Sequence, residues 1–210
     1  MNDLAISRIR RENQRLFLNG VEVHGVQSVN LNWDNQLGLL KHVGMTYPRA
    51  VIPFGPGQGS FSVSRYVCET ESISIGTLYN GVVVQDKANL YNNYGFTSGI
   101  VSSYTVRGSV GNIPQSECNL VIFGQGGRID STDSPHVSSQ FTSIGTASDA
   151  FSPIITGPGT MTIDLNDFTT NRLQSFEVTK TVANLPQYIA GQRAPIRIDT
   201  DLNYLMNFSL

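Results

Sequence analysis

The sequence predicts a mainly β protein, a single antiparallel β-sandwich or barrel with at most a short flanking helix. Three observations carry that expectation. Apolar and polar residues alternate with period two in one segment after another. Clusters such as PFGPGQG, NNYGF, GNIP, GQGG and TGPG punctuate those segments as turns. No stretch keeps a helical apolar spacing for more than three turns.

Taken in order, residues 1–13 are polar and basic and predict an arm or a short helix, with Asp3 placed to cap it. RLFL-NG-VEVHG predicts a hairpin, because Asn19-Gly20 is the preferred pair for a type I′ turn. VQSVNLNWD (26–34) and SFSVSRYVC (60–68) alternate cleanly. Further strands are expected in SISIGTL (72–78), GVVVQ (81–85), IVSSYTVRGSV (100–110) and CNLVIFG (118–124). The last are GTMTIDL (159–165), LQSFEVTKTV (173–182) and DLNYLMNFSL (201–210). The Ser/Thr-rich stretch 130–152 predicts a long loop or insertion.

Composition narrows the function. Charged residues make up 14 % of the chain, against about 25 % in an average soluble protein. Small polar residues fill the gap, with 21 Ser, 16 Thr and 17 Asn. Apolar residues at 40 % supply a core, so disorder is excluded. The net charge of −2 gives no general grip on a polyanion. Lys41, Lys87 and Lys180 are the only lysines, whereas Arg8, Arg10, Arg11 and Arg15 crowd the first 15 residues. Cys68 and Cys118 sit in apolar strand contexts and are expected as structural thiols. No segment has the ~20 apolar residues of a membrane helix, and no apolar run follows the first arginines as a signal peptide requires.

The motifs of common chemistry are missing. His24, His42 and His136 stand apart from one another and from the cysteines, which argues against a zinc site. GPGQGSFS (55–62) lacks the Gly-Lys-Ser/Thr ending of a phosphate loop. DTDLN (199–203) begins like a calcium loop, but Tyr204 and Leu210 stand where its Gly and Glu belong. Asp130 and Asp133 are loop carboxylates, expected to be solvated. No metal, no cofactor and no catalysis are expected.

One feature is positive. At an offset of 147 positions, Gln27-Ser28 falls on Gln174-Ser175, Gly44 on Gly191, Pro48 on Pro195 and Phe61-Ser62 on Phe208-Ser209. Six identities in 38 positions is little above composition, but the pattern repeats as well. Val29, Leu31 and Trp33 share one face of a strand, as do Phe176 and Val178, and Phe61 and Val63 match Phe208 and Leu210. The opposite faces carry Ser28, Asn30, Asn32, Asp34, Ser60, Ser62, Ser175, Glu177, Thr179, Asp201, Asn203 and Asn207. Residues 26–67 and 173–210 therefore read as a repeated strand–loop–strand unit with a polar face free of Lys and Arg. Lys and Arg supply most non-specific affinity for DNA, so a face without them suits a surface that a polyanion passes without sticking. Arg65 and Lys180 fall on the apolar side and are expected to reach water near strand ends.

LFLNGVEVHGVQSVNLNW, GFTSGIVSSYTVRGSVGNIPQSECNLVIFGQG and RLQSFEVTKTVANLPQYIAGQRAP together resemble the tail tube (major tail) proteins of long-tailed bacteriophages, over about two thirds of the chain. The resemblance implies a β-sandwich subunit with a small helix, of the fold shared with type VI secretion and contractile-particle tubes. It implies homohexameric rings stacked into a hollow virion tube, assembled in the host cytoplasm, with an inner barrel continued between subunits. Genome DNA passes through that tube without tight binding. Partners are other copies, a terminator, a baseplate and a sheath where one exists, with no membrane. The twelve polar-face residues then line the channel, and two repeats per subunit make a ring of six resemble twelve equal units. Loops 35–58 and 182–200 become contacts to the next ring or neighbour, and Arg8, Arg10, Arg11 and Arg15 dock an N-terminal arm on an acidic neighbour. Alternatives are another tail ring (terminator, distal tail or baseplate hub protein), or a glycan-binding β-sandwich using Tyr91, Tyr94 and Phe96.

Overall fold

The structure is a computed structural model that describes residues 15–34, 37–44, 46–53, 58–69, 71–84, 93–128, 154, 161–165, 168–189 and 195–209. The described residues form strands and no helix. The first strands are β1 (Arg15–Leu18), β2 (Val21–Val23), β3 (Val26–Asp34), β4 (Leu37–Leu40), β5 (Ala50–Pro53), β6 (Gln58–Tyr66) and β7 (Leu78–Val84). There follow β8 (Tyr94–Ser109), β9 (Gln115–Arg128), β10 (Met161–Leu165), β11 (Phe168–Leu173), β12 (Ser175–Gln187) and β13 (Arg197–Ser209). The predicted hairpin is present, with Leu18 opposite Val21 and both turn residues at positive φ, Asn19 at 50° and Gly20 at 77°, as a type I′ turn requires.

The predicted strands fall where alternation places them, with three differences besides β12 and β13, which run on to Gln187 and start at Arg197, inside the predicted loop 182–200. Residues 71–77 are not a strand. Tyr79 takes their ends instead, donating its hydroxyl to the Ser74 carbonyl and accepting from the Ser74 amide. Strands β4 and β5 lie inside the predicted loop 35–58, and β11 pairs with β10. The expected helix of 1–13 and the loop 130–152 lie outside the described residues.

Strands β8 and β9 form a long antiparallel hairpin at the centre of the nine-stranded sheet, with β4–β5 and β10–β11 as separate two-stranded sheets. Register shifts at Phe96/Ser98 and Val101/Ser103 bend it. The first part of β8 pairs with β7, which continues to β1 and β2. The last part, Ser103 to Ser109, pairs with β12, which continues to β13. On the other side β9 pairs with β6, and β6 with β3. The sheet is open, a sandwich-like arrangement and not a closed barrel.

One core cluster explains the sandwich. Leu16, Leu18 and Val23 from β1 and β2 join Phe61 and Val63 from β6, with Phe96, Val101, Cys118, Leu120 and Ile122 between them. β1 and β6 are not sheet neighbours, so they meet face to face across the bend. The Phe61 and Phe96 rings lie 5.0 Å apart, tilted by 52°, a favourable aromatic geometry. Phe96 lies flat enough on the sheet to need Gly81 and Gly99 beneath it, since a Cβ at either position would enter its ring.

Candidate functional site

The six strands β3-β6-β9-β8-β12-β13 form one continuous antiparallel run. Directly paired residues share a face, so the registers can be followed from edge to edge. One row reads Asn30, Ser62, Asn119, Ser103, Thr181, Asn203. The next reads Ser28, Ser64, Glu117, Thr105, Thr179, Leu205. A third holds Tyr66, Gln115, Arg107, Glu177 and Asn207. Asn32 and Ser60 pair on this same face, Asp34 lies opposite Gln58, Asp201 opposite Ala183, and Ser175 opposite Ser109.

All twelve predicted polar-face residues thus stand on one side of one sheet. None is buried; Ser62, Ser175, Glu177 and Thr179 are half-buried and the other eight are exposed. Neighbours on the face tie to one another. The Asn119 amide donates to Ser103 Oγ at 2.9 Å, and the Thr105 and Thr179 hydroxyls lie 3.1 Å apart. The repeat alone did not single out Ser103, Thr105, Arg107, Glu117 and Asn119, because β8 and β9 occur once. Their own alternation, Ser103-Thr105-Arg107 against Tyr104-Val106, carried the signal.

Both copies of the repeat are hairpins, β3–β6 and β12–β13. They run in the same direction four strands apart, and they dock on opposite sides of the β8–β9 hairpin. The offset of the sequence would set Glu177 opposite Ser209, by analogy with Asn30 opposite Ser62; it stands opposite Asn207. That slip of two residues keeps every side chain on its face.

Among the described side chains the face is lysine-free, with five carboxylates (Asp34, Glu117, Glu177, Asp199, Asp201) against two guanidiniums. Each guanidinium has a carboxylate partner. Arg107 Nη2 lies 3.4 Å from Glu117, and Arg197 Nε lies 2.7 Å from Asp199, which also accepts from Gln187 at 2.7 Å.

The opposite side of the sheet corrects two expectations. Arg65 does not reach water: it is 1 % exposed and ion-paired with Glu71. Glu71 also accepts from the Tyr104 hydroxyl and from the Ile73 amide at 2.8 Å. Burial, with Glu71 adding to it, pushes the Tyr104 hydroxyl up to about 12. Burial likewise pushes the Cys118 thiol up to about 12 and raises that of Cys68. Both cysteines are free and buried. Lys180 sits in mid-strand, its ammonium 5.6 Å from the centre of the Tyr204 ring opposite. Strand β13 is left bare on this side, with Leu202, Tyr204, Met206 and Phe208 all exposed.

The arm expectation divides. Arg8, Arg10 and Arg11 lie outside the described residues. Arg15 is no part of an arm: it opens β1 and bonds Glu22 across the hairpin at 3.0 Å. The aromatic cluster proposed for a glycan loses Phe96, which is wholly buried, while Tyr94 is exposed; Tyr91 lies outside the described residues. No group of metal-ligating side chains occurs among the described residues, and no described helix is long and apolar enough to cross a membrane.

At the Ser175 end of the sheet, Ile113, Phe176, Phe208, Arg107 and Asn112 line an open groove of about 780 Å³. The β4–β5 hairpin projects from the other end, where β3 finishes. It exposes Leu39, Leu40, Val43 and Tyr47, and residues 37–53 hold Lys41, His42 and Arg49 but no carboxylate.

No protein-family model matches the chain, and no curated protein matches it.

Proposed function

We propose that the chain is a self-assembling tube subunit of the phage tail-tube kind, whose polar sheet face lines a channel for DNA. One observation carries this reading: among the described side chains a lysine-free face, polar along the Asn30 and Ser28 rows except at Leu205 and apolar on β9 beyond them at Val121 and Phe123, crosses six strands and ends at two edges, β3 and β13, each paired on one side only. All five pairings between them are antiparallel. Strands β3 and β13 therefore run in opposite directions, and β13 of one copy can extend the sheet by pairing with β3 of the next. A long unpaired edge with exposed apolar residues is a liability in a monomer, and edge-to-edge pairing removes it. The same joint brings the bare side of β13 beside Val29, Leu31 and Trp33, the half-buried side of β3.

Such a joint places the repeated hairpins four strands and then two strands apart around a ring. The ring then repeats by subunit, not as twelve equal units. Stacking is head-to-tail in this reading, since the projecting hairpin and the groove lie at opposite ends of the sheet. A contact between unlike surfaces adds layers without limit.

Negative-stain electron microscopy across a concentration series tests the proposal. Six-fold hollow rings that stack into tubes are expected. Closed rings that never stack would instead indicate a terminator or distal ring. Compact monomers at every concentration, even with preformed tube fragments as seeds, would refute it.

A further inference from the structure

The two guanidiniums of the polar face are not equivalent. Arg197 stands near the tip of the β12–β13 hairpin, held by Asp199. Arg107 stands two residues from the end of β8, beside the groove at the Ser175 end of the sheet, with half of its side chain open to solvent, 51 %. Carboxylates flank it on both sides. Glu117 on β9 contacts it at 3.4 Å, and Glu177 on β12 is its directly paired residue. We propose that Glu117 and Glu177 mask Arg107, and that this mask sets how weakly the face holds a polyanion. The proposal rests on the tube reading above.

A single exposed Arg adds little to phosphate binding, but one per copy at the same height makes a belt of guanidiniums in every ring. A belt engages several phosphates of one duplex together, and such contacts compound. A carboxylate on each side gives every site a local charge of −1, so an approaching phosphate meets net repulsion at the guanidinium. The face can then keep an arginine for its packing and cross-strand pairing without becoming a trap.

The test uses the full chain and a short fluorescein-labelled DNA duplex, read by anisotropy over a salt series. Wild type is expected to bind only weakly, with an affinity measurable at the low-salt end of the series. Glu117→Gln with Glu177→Gln should gain at least about tenfold in affinity, with a salt slope steeper by about 0.9 per phosphate engaged. Adding Arg107→Ala should abolish the gain. Asp34→Asn with Asp201→Asn makes the same charge change elsewhere on the face and should gain clearly less. Each single variant should give part of the effect, which covers a double variant that folds poorly. The mask is overturned by no gain, by an equal gain in the charge-matched pair, or by a gain that survives loss of Arg107. Microscopy of the same samples reads assembly separately, so rings without the Arg107-dependent gain sink the mask alone, and absence of rings sinks the tube reading.

Discussion

Replacing Glu71 by Ala should cost about 3 kcal/mol of folding stability. The starting point is Arg65, whose guanidinium sits under the sheet with a side chain 2 % exposed. Leaving a buried charge without its partner costs ~3–5 kcal/mol in general. The Glu71 side chain is itself 40 % exposed, so water can enter where the carboxylate was, and the lower end of that range applies. Tyr104 and the Ile73 amide lose an acceptor in the same step. Arg65→Met removes the charge and leaves Glu71 both other donors and solvent; it should cost only about 1 kcal/mol. In the Arg65→Met background, Glu71→Ala should then cost about 1 kcal/mol, a coupling of about 2 kcal/mol. Urea unfolding of unassembled protein measures this, and at a slope of ~2–3 kcal/mol per molar Glu71→Ala should lower the midpoint by about 1 M. Equal costs in both backgrounds would show that Arg65 is not held by Glu71.

Three further outcomes are expected. Met206→Lys charges the bare side of β13, where the residue is 53 % exposed; it should leave monomer stability within about 0.5 kcal/mol while abolishing rings in sedimentation velocity. Alkaline titration should destabilise the fold. Cys118 and Tyr104 have folded values raised to about 12 from 9.0 and 10.0, so their contribution is complete below pH 9 and is lost as pH rises towards 12, with Cys118→Val flattening thermal melts over that window. Gly81→Ala drives a methyl into the buried Phe96 ring and should cost ~1–3 kcal/mol by overpacking, part of which Phe96→Leu should restore in a denaturant series.

Strand positions and faces were legible because both follow from period two, which the residues themselves display. Partners across the sheet were not. Nothing in TESISIG shows that a buried arginine six residues before Glu71 needs it, since the pairing depends on how a non-strand segment crosses the back of β6. Arg65 was expected to reach water on the general behaviour of long side chains; the segment 71–77 covers that exit. The loop 35–58 hid β4 and β5 because LGLLKHVG and AVIP are short apolar runs without alternation, which periodicity cannot assign.

The weak identity between the two hairpins has a physical origin in the same period. A register slip of one residue would turn a hairpin's apolar face to solvent, so it is strongly opposed. A slip of two leaves both faces intact, and the second hairpin shows that slip relative to the first. Individual identities can therefore drift out of alignment while alternation persists, and alternation is what the repeat retains. The absence of lysine is harder to attribute to packing, because both hairpins expose their polar side and lysine would be tolerated there by the fold. In the tube reading we propose, the constraint is on what the face meets. That is why the charge on Arg107 and its two carboxylates, rather than the core, is the part of this sheet where a single substitution should change function without changing structure.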